Sequence, residues 1–226
     1  MSAKACSGSK TVAVPNAAMT APQKPDEAPV LAPSLIARLR ARAVKACAPW
    51  ERLEPMPAMM IVVTLALLDA GWDGLHVDYA TELVLAGFAK ATGKEIVALE
   101  TAAIQRAALM GGSPAEQLAR IEAFVESLET GTARKEMIAT ANAWASGDLD
   151  ALSGSLATLK PAERAALDRM VFARNPALAA RIDELHRGGR RIFATAGIMH
   201  MIGDNGLPKL LAARGFKVER VSFDDR

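Results

Sequence analysis

The stretch Val171 to Phe223 limits the fold more than any other part of the chain, because its glycines cut it into pieces of distinct period. Pro176 to Leu185 places apolar residues at helical spacing, Gly188-Gly189 interrupts it, and Arg191 to Ala196 reads as a buried strand. The tip Gly197-Ile198-Met199-His200 follows, then a polar loop Gly203-Asp204-Asn205-Gly206, a helix to Arg214 and a last strand from Lys217. Open α/β sheets bind small molecules where a strand ends, beside glycines that let backbone approach a ligand. His200 stands at such a place. A lone imidazole among Ile198, Met199, Met201 and Ile202 is also how a hydrogen-bonded core histidine looks, so both readings stand.

The rest of the chain reads as mostly helical. Of 226 residues 51% are hydrophobic but only 4% aromatic, so Ala, Leu, Ile, Val and Met must fill the core, and alanine-rich chains favour helix. Residues 1–29, rich in Ala, Pro, Ser, Lys and Thr, form a poorly ordered lead, and residues 30–226 one compact domain. Ser34 is a plausible N-cap for a helix to about Cys47, a second helix runs from Ala58 to Ala70, and Tyr79 to Thr92 is a third, with Leu83, Phe88 and Ala91 on its apolar side. Glu95 to Leu99 is a short strand that delivers Glu100 at its tip. From Ala102 to His186 the pattern is helical, with breaks near Gly111 to Pro114, at Gly147-Asp148 and at Lys160-Pro161. The expected architecture is therefore α/β and α-rich. A small mixed sheet of Glu95 to Leu99, Arg191 to Ala196 and Lys217 to Phe223 is surrounded by helices, with the long helical insertion between the strand-Glu and strand-His segments. The apolar run Thr11 to Val14 is left out of that sheet.

On that topology Glu100 and His200 open on the same end of the sheet, close enough to share a metal, a water or a ligand. Glu100 has a second reading, as an acid favoured at the start of the helix after Thr101. Arg174 and Asn175 can hold a substrate carbonyl or orient His200, but Asn175 before Pro176 is also a good N-cap. Asp204 and Asn205 fit either a turn or a ligand-side loop. His76 and His186 rank lower, and Trp50, Trp72 and Trp144 read as packing anchors.

Charge argues against a nucleic-acid partner: 27 basic and 25 acidic residues are spread along the chain. Arg38, Arg42 and Lys45 share one helix face, read as solvated. Cys6 and Cys47 read as free thiols. No transmembrane segment and no signal peptide are recognisable, the most apolar run, Met59 to Leu68, being too short to span a bilayer.

The order Arg-Asn, amphipathic helix, Gly-Gly, apolar strand, Gly-x-x-His, Gly-Asp-Asn-Gly-Leu, Leu-Leu, Arg-Gly-Phe-x-Val resembles the C-terminal half of the TraB/GumN family, relatives of the Tiki metalloproteases and of the erythromycin esterase/ChaN superfamily. Upstream, Val77-Asp78, the block Ala89 to Lys94, Val97-x-Leu99-Glu100-Thr101 with Gln105, and Trp144-x-x-Gly147-Asp148 resemble the family's middle blocks, so five motifs stand in register between Leu31 and Phe223. The resemblance implies a metal-dependent, peptidase-like hydrolase, with His200 as a ligand of a divalent ion such as Mn, Co or Zn, and Glu100, Arg174 and Asn175 as catalytic residues acting on a peptide or small-molecule substrate. Family members usually open with a first Gly-x-x-His that serves the same metal. Nothing before Leu31 resembles it, so an N-terminally truncated domain with an incomplete metal site is expected. The alternative is a non-catalytic scaffold or binding protein of envelope or polysaccharide biology, since members are often exported or envelope-associated. An open sheet edge left by the missing strands would favour a homodimer.

Overall fold

The computed structural model describes residues 20–24 and 27–221. Contacts gather the chain into two compact units, one of Met1–Ile96 with Thr101–Asn142, the other of Val97–Glu100 with Ala143–Arg226.

The first unit is built on α1 (Pro33–Lys45), α3 (Ala58–Gly71) and α6 (Pro114–Thr130), which pack on one another; α2 (Trp50–Leu53) and α5 (Ala102–Met110) add Leu53 and Met110 to their core, and α4 (Thr81–Ala91) belongs to the same unit. Each of the three is made by its own apolar pattern. Helix α1 buries Leu35, Leu39 and Ala43, one stripe at four-residue steps. Helix α6 buries Gln117, Ile121, Val125 and Leu128, starts on a capping box between Ser113 and Glu116, and stops at Gly131, whose φ of 77° favours glycine. Helix α3 is apolar all round and correspondingly buried, from Met59 to Ala66. Leu39, Val62 and Val125, one from each of the three helices, lose essentially all exposure. Each such side chain stabilises the unit by about 1.5–3 kcal/mol.

Several details of this unit differ from the sequence reading. Helix α1 starts on Pro33 with no side-chain cap, so Ser34 lies inside it. Arg42 is buried and ion-paired with Asp69, while Arg38 pairs with Glu129 at 2.6 Å on the surface and Lys45 stays exposed, so only Arg42 departs from the solvated face. Cys47 is disulfide-bonded rather than free, while Cys6 lies outside the described residues. Helix α4 buries none of its residues, and Leu83 and Phe88 are exposed. Trp72 and Trp144 are exposed as well, whereas Trp50 packs on the core under the guanidinium of Arg40.

The second unit contains α8 (Leu149–Ala157), α9 (Pro161–Met170), α10 (Asn175–Arg187) and α11 (Leu207–Ala212). Helix α7 (Thr132–Ala145) leads into it, so the expected insertion is divided between the two units. Helices α10 and α11 pack together over Leu178, Ala179 and Leu207, joined by Leu99, Ala196 and Met201. Asp183 ties the end of this pair by binding both Arg187 at 2.8 Å and Arg214 at 3.3 Å.

The expected sheet is not there. Among the described residues there is no β-strand: residues 95–99, 190–197 and 216–221 run without regular structure and exchange no backbone hydrogen bonds with one another. The α/β assignment is thus corrected to a helical one. A strand exists only through a neighbour that takes its backbone bonds, and an apolar, β-branched run sets a preference that context overrides. Without a sheet, the open edge expected to support a homodimer has no counterpart among the described residues. The run Thr11 to Val14 lies outside them.

Candidate functional site

Four of the residues singled out in the sequence meet inside the second unit. The short 3-10 turn Phe172–Arg174 runs straight into α10, so Arg174 and Asn175 lie at a junction, and the turn Ile198–Met201 lays His200 against it. Pro176 occupies the first turn of α10, where its missing N–H costs nothing. Asn175 is fully buried at 0% exposure, yet it makes no cap bond to α10. Its amide Nδ2 instead donates to the backbone carbonyl of Asn205 at 2.6 Å and to that of His200 at 3.4 Å. One buried side chain therefore fixes the whole loop from His200 to Asn205. The capping alternative for Asn175 gives way to this role.

The ring of His200 is held at both nitrogens. Arg174 lies 2.9 Å from Nε2, and Asn175 Oδ1 lies 2.5 Å from Nδ1. A guanidinium can only donate, so Nε2 accepts and the proton sits on Nδ1, donated to Asn175. This tautomer agrees with the amide orientation that points Nδ2 at two carbonyls. Burial and then the Arg174 charge hold the imidazole below its ordinary pKa, against a smaller opposing pull from Glu100. His200 is a neutral base at neutral pH.

Glu100 joins through the same guanidinium nitrogen: its carboxylate lies 3.4 Å from Arg174 Nη2. Glu100 does not cap α5, because Thr101 does so by accepting from the Ile104 N–H. Glu100 and His200 are thus brought together with Arg174 between them, rather than lined up at strand ends. Arg174 Nε is buried and without a partner among the described residues.

The other candidates fall elsewhere. Asp204 is exposed and paired with Lys209, so the polar loop reaches the site only through the Asn205 carbonyl. His186 lies in the last turn of α10 with its ring 5.1 Å from that of Phe216, and His76 in the first unit stands edge-on to Tyr79. What sequence reasoning missed was the link: Arg174 bridges Glu100 and His200, and no spacing of three residues so far apart in the chain signals that.

The same geometry tests the divalent ion that the sequence suggested. A metal needs an unprotonated imidazole lone pair, and the one on Nε2 faces a permanent cation at 2.9 Å. The single nearby carboxylate is engaged by that cation too. Among the described residues no third His, Cys, Asp or Glu completes a ligand set. As arranged, these residues do not fit a divalent metal.

No curated protein and no solved structure matches the chain significantly. The family model described as TraB/PrgY/gumN does match, over residues 8–220, which takes in both units and all four residues of the cluster. With nearly the whole length covered, the chain belongs to the TraB/PrgY/gumN family.

Proposed function

We propose that the chain is a hydrolase in which the neutral imidazole of His200 is the general base. The observation that carries this reading is the polarised ring: Nδ1–H is fixed by buried Asn175 while Nε2 presents its lone pair to Arg174. An amide that orients the far side of a base is a recurrent arrangement in acyl transfer. A substrate carbonyl is a good acceptor for Arg174, which would leave Nε2 for the carbonyl while Glu100 keeps it from straying. Water then attacks the carbonyl carbon as its proton passes to Nε2, and the oxyanion forms against Arg174. Collapse breaks the bond to the leaving group, which takes the proton back from Nε2. Amides, including peptides, and esters fit this chemistry.

A second reading has its own support. With both ring nitrogens already bonded, the cluster can serve solely to pin the loop from His200 to Asn205, as in a non-catalytic scaffold. The experiment that decides uses a peptide library and a panel of acyl esters, with the chain, His200→Ala and Arg174→Lys. The hydrolase reading expects turnover that rises with pH through the lowered imidazole pKa, is lost in His200→Ala, and falls about 100-fold or more in Arg174→Lys. Absence of turnover on both panels, with the variants differing only in stability, would establish the scaffold.

A further inference from the structure

Beside the cluster the second unit has a cavity of about 500 Å³ that plays no part in the chemistry above. Its walls are aliphatic: Ile182 from α10, Leu207 and Leu211 from α11, and Ala194 and Ala196 from the segment that follows Gly189. The small alanines leave the space, and the branched side chains opposite them supply a surface with no directional bonding. The lining is polar only at Arg191, His186 and Thr195, and no acidic residue lines it. Arg191 makes no ion pair among the described residues, and it is solvent-exposed.

From this we infer that the cavity binds a free aliphatic carboxylate of medium chain length, alkyl chain inside and carboxylate on Arg191. The volume falls within the range of small-molecule sites and is far too small for a protein element. An apolar floor alone would accept any alkyl compound, so the charge decides the class. An unpaired guanidinium beside an aliphatic wall favours an anion through a two-pronged, charge-assisted hydrogen bond and disfavours a cation. The site is independent of hydrolysis, since neither Arg174 nor His200 lines it.

Calorimetric titration of the whole chain with dodecanoate, kept below its micellar concentration, tests the inference alongside dodecanol and dodecylammonium. Dodecanoate is expected to bind at one site per chain, at least tenfold tighter than dodecylammonium. Arg191→Gln, at an exposed position where folding is not at risk, should weaken dodecanoate about fivefold or more and leave dodecanol unchanged. Ala194→Trp should abolish binding of both, with its circular dichroism matching that of the parent chain. Arg174→Lys should leave binding unchanged, which separates this site from the hydrolytic one. Binding of dodecylammonium as tight as that of dodecanoate, indifference to Arg191→Gln, or the absence of dodecanoate binding would overturn it.

Discussion

At the scale of single residues, Asn175 and His200 are two buried polar groups that satisfy each other. Asn175→Ala strands the His200 ring N–H and the Asn205 carbonyl together, which should cost roughly 2–4 kcal/mol by urea unfolding. Asn175→Asp keeps the acceptor but loses the donor, and should recover part of that. The neutral ring of His200 also makes stability depend on pH. Its pKa is lowered in the folded chain, so the unfolded chain binds the proton more readily. Stability is therefore constant above the unfolded value, about 6.5, and falls as pH drops from there to the lowered folded value. Unfolding free energies from pH 8 to 4.5 should show this decline in the parent chain and less of it in His200→Ala. An identical slope in both would mean that folding does not shift the pKa of the ring. Local sequence marked Arg174, Asn175 and His200 by residue type and by their neighbours Pro176 and Gly197, but could not rank capping against contact. That choice turns on Asn205 and Glu100, which are distant in the chain.

At the scale of elements, helix starts were the most legible features. Pro33, Pro114, Pro161, Pro176 and Pro208 each sit in the first turn of a helix, where a residue without N–H is tolerated. The capping box of α6 is similarly local, and Ser113→Ala should lower the melting stability of the first unit by about 1 kcal/mol. Gly206 is required for another reason: a Cβ there would lie 2.7 Å from the Ile202 carbonyl oxygen. Gly206→Ala should distort the turn that leads into α11 and disturb the Asn175 to Asn205 bond, visible as loss of amide protection across residues 200–206. Normal protection there would show that the turn adapts. The three strand readings failed because apolar content is shared by strands and by irregular segments that pack on helices. Ala196 and Leu99 do pack, against α10 and α11, but through side chains and without a ladder.

At the scale of the whole molecule, family membership over residues 8–220 rests on sequence order, while the two units rest on contacts. No helix among the described residues is long and apolar enough to cross a membrane. Because Arg174 occupies the lone pair that a metal would need, added Mn²⁺, Co²⁺ or Zn²⁺ should not raise the melting temperature of the chain, and His200→Ala should not change that. Stabilisation of the parent chain by one of these ions, lost in His200→Ala, would show that the ion displaces Arg174. The sequence by itself determined the helices, since capping, proline placement and the spacing of Leu35, Leu39 and Ala43 act within a few residues. It also determined the family, through the order of its motifs. Only the tertiary structure decided that the apolar segments before and after α10 stay unpaired, that Arg174 stands between Glu100 and His200, and that Asn175 holds a loop instead of capping a helix. Each of these is a competition between partners far apart in the chain, settled by which buried polar group finds the other.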